Sequence, residues 1–174
     1  MGMTMAEKIL ARASGKETVH HEDFVTANLD IVMGHDRSFW AAYRVMIENG
    51  VDKVWDPDKI VVILDHAVPA PNIRAADVHR EIREWVKEQQ IKHFYDCGVG
   101  ICHQVLPEAG HALPGRLIVG GDSHTTTYGA VGTASCGIGI SDLAYAMARG
   151  KLWFMVPETI RFVLKGSIPE GVSA

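Results

Sequence analysis

The spacing of hydrophobic positions along the chain predicts four helices. Near the start, Thr4 and Glu7 form a capping-box pattern, hydrophobic residues follow at helical spacing, and Gly15 marks the end. A second apolar stripe begins after Asn72, which is a suitable N-cap residue. The predicted helices are therefore 4–15, 38–48, 72–89 and a short helix from a cap at Ser141 to Gly150.

Other segments have the hydrophobic pattern of strands. The runs at 59–66 and 116–120 are continuously apolar and rich in Val, Ile and Leu, which is typical of strands buried on both faces. Residues 91–96 are short and aromatic, and residues 24–33 are predicted to be a strand or an extended pair. Alternating polar and apolar residues at 159–166 predict a final strand.

The order of these elements indicates an α/β fold. Strands that alternate with helices imply a mostly parallel sheet with helices on both sides, a three-layer α/β/α arrangement. The 174 residues are enough for one domain with a proper core, so residues 1–174 are predicted to be a single domain.

Composition and charge narrow the classes of partner. The net charge is −4 and there is no basic stripe, so a nucleic-acid partner is not expected. No apolar run approaches the roughly 20 residues that span a bilayer, so no membrane association is expected. The first 15 residues are amphipathic and lack the features of a signal peptide, which predicts a cytoplasmic protein.

The chain has three cysteines, Cys97, Cys102 and Cys136. An odd number of cysteines in a protein that is not secreted argues against a disulfide framework. The spacing between the first two is weak evidence for a metal site. We therefore predict three reduced thiols.

Titratable residues follow three of the predicted strands. The carboxyl ends of parallel strands lie on one edge of a sheet, where ligands bind in open α/β folds. We therefore expect these side chains to line one cleft. The candidates are Asp65 and His66 after the first apolar run, His103 after the aromatic strand and its turn, and Asp122, Ser123 and His124 after the second apolar run.

Each grouping has a chemical use. An aspartate beside a histidine orients the imidazole and raises its pKa, which suits a general acid at neutral pH. Ser123 lies on a glycine-flanked loop and offers a hydroxyl and backbone N–H groups to a carboxylate. Taken singly, His66 also fits a structural role, and Asp122 an Asx-turn.

The remaining histidines are weaker candidates. The pair His35-Asp36 resembles the other His/Asp pairs and is kept as a lesser candidate. Five other histidines are predicted to be non-functional, because they lie in a polar connection, on a helix, in a strand or in a loop. They are His20, His21, His79, His93 and His111. Serine-hydrolase, Walker-loop, dinucleotide-binding and H-E-x-x-H motifs are missing from the sequence.

Three longer motifs resemble the aconitase superfamily. They are DHAVPA at 65–70, GICHQVLPEAGHALPG at 100–115 and GDSHTTTYGAVGT at 121–133. Within that superfamily they are most similar to 3-isopropylmalate dehydratase-like and homoaconitase-like large subunits. The resemblance covers the whole chain in order, and three motifs together are highly specific.

The resemblance implies a hydro-lyase that isomerises a hydroxy di- or tricarboxylate by dehydration and rehydration at a [4Fe–4S] cluster. By analogy, His66 with Asp65 protonates the departing hydroxyl, and His103, Asp122 and His124 surround the hydroxyl and the water. Ser123 resembles a donor to a substrate carboxylate.

The resemblance also implies parts outside this sequence. The base serine of the family lies on a swivelling domain or on a small subunit, and the cluster cysteines lie downstream in a C-x-x-C pair with a more distant partner. We therefore expect this chain to be the first domain of a longer large subunit, to bind no cluster through its own cysteines and to be inactive alone.

Several alternatives stay open at this point. The substrate is expected to be of the isopropylmalate, homoaconitate or dimethylmalate type. The aromatic residues Phe39 and Trp40 depart from the pattern of relatives, and they either line a pocket or belong to the core. A non-catalytic module with the same fold is a second possibility. A self-contained enzyme that holds one metal ion with three histidines is a third.

Overall fold

The computed structural model describes residues 2–173, which form five α-helices, one 3₁₀ helix and seven strands. The helices are α1 (Met5–Ser14), α2 (Asp36–Glu48), α3 (Ile73–Glu88), α4 (Cys102–Glu108) and α5 (Ile140–Arg149), and the 3₁₀ helix spans Ser123–Val131. The strands are β1 (Phe24–Asn28), β2 (Ile31–His35), β3 (Ile60–Ile63), β4 (His93–Tyr95), β5 (Leu117–Gly120), β6 (Ala134–Gly137) and β7 (Lys151–Met155).

Five strands form one parallel sheet in the order β4-β3-β2-β5-β6. The chain starts in the middle at β2, moves outward to β3 and β4, and then returns to the other side of β2 for β5 and β6. This reversal places a topological switch point between β2 and β5, where open α/β sheets form a ligand crevice beyond the strand ends. Strands β1 and β7 form a separate antiparallel ribbon.

Hydrophobic cores lie on both faces of the parallel sheet, which confirms the predicted three-layer α/β/α arrangement. On one face, Val32 and Val119 pack with apolar residues of α1, α2, α3 and α5. On the other face, Met33 and Ile118 pack with residues of α4 and with Tyr128 of the 3₁₀ helix. Neighbouring residues of one strand point to opposite cores, which explains the continuous apolar runs.

The predicted helices are present, with ends that differ by one or two residues from those expected. The capping box at Thr4 and the cap at Asn72 are both formed, and Gly15 and Gly150 end their helices in the left-handed conformation. The predicted cap at Ser141 is wrong. The N-cap of α5 lies two residues earlier, at Gly139, and makes no side-chain hydrogen bond.

The predicted final strand at 159–166 is also wrong. This segment has no regular structure, and the apolar side chains that alternate along it, Ile160, Phe162 and Leu164, are exposed. A strand needs a neighbouring strand for its backbone hydrogen bonds, and this segment pairs with no strand of residues 2–173. Within the same residues, no helix combines the length and the apolar character that crossing a membrane requires.

Candidate active site

The carboxyl ends of β2, β3 and β5 bring three side chains together at the switch point. His35 ends β2, His66 follows β3, and Asp122 follows β5. The imidazoles of His35 and His66 stack with ring centroids 3.6 Å apart and an angle of 13° between their planes. His66 Nε2 lies 3.2 Å from Asp122 Oδ2.

Asp122 is the acceptor that joins the parts of this site. Its Oδ1 lies 2.7 Å from His103 Nε2 and accepts the backbone N–H of His124 over 2.7 Å. Burial alone raises the pKa of Asp122, but the His124 amide and the imidazoles of His103 and His66 lower it to about 2. The carboxylate is therefore ionised at neutral pH and only accepts hydrogen bonds.

His66 is held between two carboxylates. Its Nδ1 lies 2.6 Å from Asp65 Oδ1, and its Nε2 faces Asp122. Burial lowers the pKa of His66, but the hydrogen bonds and negative charges of Asp65 and Asp122 raise it above its ordinary value. Asp65 is itself fixed, because its Oδ2 accepts the backbone N–H of Cys102 over 2.7 Å. The protonated imidazolium is the form that this arrangement favours.

His103 reaches the same carboxylate from the first turn of α4. Because Asp122 is an acceptor, His103 Nε2–H donates to it, and Nδ1 lies 3.1 Å from the hydroxyl oxygen of Tyr128, which also donates to the carbonyl oxygen of Cys102 over 3.4 Å. Tyr128 is fully buried, and burial raises the pKa of its hydroxyl, which therefore stays protonated. These two partners fix the tautomer and the plane of the His103 ring.

Ser123 and His124 form the open side of the site. Both lie at the start of the 3₁₀ helix and are exposed, and the His124 side chain keeps 78% of its accessible surface. The Ser123 hydroxyl lies 3.4 Å from His124 Nδ1. Both side chains can therefore contact a bound molecule without rearrangement of the core.

The structure gathers all six predicted site residues on one rim and adds others that the sequence analysis ranked low. His35 stacks on His66, and Asp36 is fully buried beneath the turn that carries His66. His79 was predicted to be non-functional, yet its Nε2 lies 3.3 Å from Asp36 Oδ2. The sequence signal for His35 and Asp36 is their position at the carboxyl end of a strand, which Asp65 and His66 share.

The other histidines lie away from this rim. His111 is buried at the amino edge of the sheet, where Tyr95 Oη lies 2.7 Å from its Nε2 and His93 packs against its ring. Burial, and then the charges of His93 and Arg116, lower the pKa of His111 to about 4.

The aromatic residues that depart from the pattern of relatives have different surroundings. Phe39 is fully buried in the core, as one of the two alternatives predicts. Trp40 is half-buried and donates its indole N–H to Glu81. The Phe39 ring packs against Trp85, and the Arg44 guanidinium lies over the Trp40 ring.

The cysteines do not form a ligand set for a metal cluster. Cys102 is buried in the core on one face of the sheet, and Cys136 packs against the core on the other face. Burial raises the pKa of both thiols, whereas a cluster binds thiolates. Cys97 is exposed beside Arg83. All three cysteines are free, in agreement with the predicted reduced thiols.

The histidines of the rim are likewise already engaged with protein groups. His35 donates from Nε2 to the carbonyl oxygen of Gly121, and its Nδ1 accepts the N–H of Arg37. Both nitrogens of His66 and both of His103 have partners as well. Side chains that could share one ion include His103, Asp122 and His124, whose ligand atoms lie within 4.8 Å of one another. An ion there would have to displace the hydrogen bond between His103 and Asp122 or the one between His103 and Tyr128.

Comparison with known proteins identifies the family of this chain. Residues 7–174 match the aconitase family (aconitate hydratase). The chain is 55% identical over its whole length to 3-isopropylmalate dehydratase large subunit 1 of Methanopyrus kandleri and covers 41% of that protein. It is 46% identical, over 97% of its length, to the 3-isopropylmalate dehydratase large subunit of Aquifex aeolicus and covers 39% of it.

A third relative is named a probable methanogen homoaconitase large subunit, from Methanosarcina mazei. The chain is 49% identical to it over 85% of its own length and covers 38% of that protein. The chain thus spans about two fifths of the length of the relatives that it matches. Because the match extends over nearly every residue, including all three motifs that build the rim, this chain belongs to the aconitase family.

Proposed function

We propose that this chain supplies the acid–base wall of the active site of a hydro-lyase of the 3-isopropylmalate dehydratase type. The observation that carries the proposal is the bracketing of the His66 imidazole by Asp65 and Asp122 at the switch point of the sheet. An imidazole between two carboxylates holds a proton at neutral pH and can deliver it to a departing hydroxyl. The names of the relatives support the same class of reaction.

The proposed reaction breaks one C–H bond and one C–O bond of a hydroxy acid and forms a C=C bond. In this proposal His66 Nε2–H gives its proton to the hydroxyl, which leaves as water, while a base outside this chain removes the carbon-bound proton. Return of water with the opposite orientation yields the isomer. His103, held by Asp122 and Tyr128, orients the water, and Ser123 and His124 face the substrate carboxylate.

The family also implies a [4Fe–4S] cluster, which acts as a Lewis acid toward the substrate hydroxyl when bound. The three cysteines of this chain do not fit it, because Cys102 and Cys136 lie on opposite faces of the sheet and Cys97 is apart from both. We therefore propose that thiolates from the remainder of a complete large subunit hold the cluster. We also propose a small subunit that carries the base, and a reducing cytoplasmic location that suits the free thiols.

The test uses a complete large subunit that contains this chain, assembled with its small subunit under anaerobic conditions with iron and sulfide. Consumption of 3-isopropylmalate with formation of an unsaturated intermediate would support the proposal. Absence of turnover with isopropylmalate, homoaconitate and dimethylmalate, in an assembly with an intact cluster, would instead favour a non-catalytic module.

Homoaconitate is the second candidate substrate, because one relative of 49% identity is named a probable methanogen homoaconitase large subunit. The two substrates differ in the group next to the reacting carbons, which is a branched alkyl group in one and a carboxylate arm in the other. The ratio of kcat/KM for the two acids in the assembled enzyme decides between them.

A further inference from the structure

The turn that carries His66 is anchored by a buried carboxylate beneath it. Asp36, the first residue of α2, is 1% exposed. Its Oδ1 accepts the backbone N–H of His66 over 3.0 Å, and its Oδ2 accepts the backbone N–H of Ala67 over 2.8 Å. Although burial raises the pKa of Asp36, the side chain of His35, these amides and His79 hold it well below its usual range. The ionised carboxylate therefore acts as a fixed double acceptor.

A second buried group holds this carboxylate in place from α3. His79 is 3% exposed, and its Nε2 lies 3.3 Å from Asp36 Oδ2. Because the carboxylate only accepts, the proton of His79 lies on Nε2 and points at Asp36. Its Nδ1 is an acceptor 3.8 Å from the Cys97 thiol, and the Cys97 sulfur accepts from the Arg83 guanidinium over 3.6 Å. Asp36 thus links the turn after β3 to the buried side of α3.

We propose that Asp36 and His79 are positioning residues that fix the main chain at His66 and thereby aim its imidazole between Asp65 and Asp122. The effect on catalysis rests on the proposed function, whereas the effect on the imidazole does not. Hydrogen bonds to two consecutive amides define the path of the backbone there. The His66 ring can hydrogen-bond to Asp65 and Asp122 at the same time only if the backbone that carries it is held in one position.

The role is indirect, because Asp36 and His79 contact the backbone of the turn and each other, and not the His66 ring. The charged and titratable groups that face the ring are Asp65 beyond β3, Asp122 beyond β5 and His35 at the end of β2. His79 forms no hydrogen bond with these groups. Its effect on the titration of His66 therefore passes through Asp36, which holds the turn and also lies 3.6 Å from His35 Nδ1.

The test follows the imidazole signals of the 174-residue chain by NMR as the pH is changed. Because Asp36→Asn places an amide against two backbone donors and can unfold the chain, the deciding comparison is His79→Leu with His79→Gln. The leucine removes the N–H that points at Asp36, whereas the glutamine retains an N–H donor near that position. Asp77→Asn, at an exposed position on the same helix, is the control for altered charge on α3.

We expect His79→Leu to lower the pKa of His66 by about 0.5–1 unit, the size expected when one charge-assisted hydrogen bond weakens. His79→Gln restores most of the shift, and Asp77→Asn leaves it unchanged. In the assembled enzyme, His79→Leu lowers kcat about tenfold to a hundredfold with little change in KM, because the acid is misplaced. The alkaline limb of the kcat profile moves to lower pH in the same variant.

An unchanged His66 pKa in a folded His79→Leu chain would overturn the inference. So would an equal effect of leucine and glutamine, since that pattern indicates loss of packing and not loss of a donor. An altered pKa together with an assembled wild-type enzyme that turns over none of the three acids would leave the positioning role intact and refute the proposed function.

Discussion

At the scale of single residues, the chemistry of this rim depends on what each imidazole nitrogen faces. His66 has a carboxylate within hydrogen-bonding distance of both ring nitrogens, and these carboxylates raise its pKa. His103 faces one carboxylate and one phenol. The His35 ring lies against a carbonyl oxygen and an amide, and the carboxylates of Asp36 and Asp122 are farther away, at 3.6 and 3.9 Å. Of these three histidines, His66 is the one with the arrangement of an acid.

The first prediction concerns this acid. In the assembled enzyme, His66→Gln should lower kcat about 10²–10⁴-fold, the usual contribution of a positioned proton donor, with a smaller change in KM. Steady-state kinetics checks it, with His21→Gln at an exposed surface position as the control. A variant that keeps more than half of the wild-type kcat would show that the proton comes from another group.

The second prediction concerns the pH dependence of stability. The folded-state pKa of Asp122 is about 2, below its ordinary value of 3.8. The ionised carboxylate therefore contributes to the free energy of unfolding above pH 4, and this contribution is lost as the pH falls through 2. Asp122→Asn should therefore reduce the free energy of unfolding by about 2 kcal/mol at neutral pH, and the difference should shrink below pH 4. Urea unfolding at several pH values measures it. If the wild-type and Asp122→Asn chains differed equally in free energy of unfolding at pH 7 and pH 3, the lowered pKa of Asp122 would be contradicted.

At the scale of elements, the long periodic segments were predictable and the short ones were not. The apolar runs of β3 and β5 and the stripe of α3 are strong signals, because burial dictates every position of these strands and every third or fourth position of the helix. Helix α4 has seven residues with Pro107 inside it, so its periodic signal is weak. Strand β6 has the sequence ASCG, which contains no β-branched or aromatic side chain, and it is a strand because it pairs with the edge of β5.

The same limit applies to the site. A sequence shows that Asp65, His66 and Asp122 follow strands, and parallel pairing then predicts that they meet. It does not show that His79, on a helix, reaches the buried oxygen of Asp36, because that contact depends on how α3 packs against α2. Roles that rest on contacts between helices have no local signature.

The third prediction tests how β6 supports the site. A methyl group added at Gly137 would overlap the backbone oxygen of Asp122, so the loop bearing this carboxylate would have to move. Gly137→Ala should lower the free energy of unfolding by about 1–3 kcal/mol, as overpacking does, and should reduce activity. Gly129→Ala meets no atom within 4 Å and is the matched control. Equal denaturation midpoints for the two variants would refute this role of Gly137.

At the scale of the whole molecule, the strand order decides where the chemistry lies. Because β2 is central and the chain reverses beside it, the ends of β2, β3 and β5 are neighbours at one crevice. The rim is open on the side of Ser123 and His124, both of which are exposed. A site of this shape suits closure over the substrate by a further domain or subunit, as proposed above.

The fourth prediction follows from apolar surface away from the rim. Ile160, Phe162 and Leu164 are 78%, 84% and 96% exposed, which is more than isolated soluble domains usually tolerate in one segment. The 174-residue chain should self-associate at micromolar concentrations, and Phe162→Ser with Leu164→Ser should reduce this in sedimentation velocity. The control replaces two charged residues of the same segment, Arg161→Ser with Lys165→Ser. Equal association of both double variants would rule out this segment as the cause.

The most direct test of the central claim is the titration of the His66 imidazole in the wild-type chain by NMR. The account predicts a pKa above the ordinary 6.5 and a fall in this pKa when Asp65 or Asp122 is replaced by its amide. The raised pKa also predicts a stability contribution that is complete below pH 6.5 and lost as the pH rises through the folded-state value. Titration of His66 at or below 6.5, unaffected by either amide, would contradict the account.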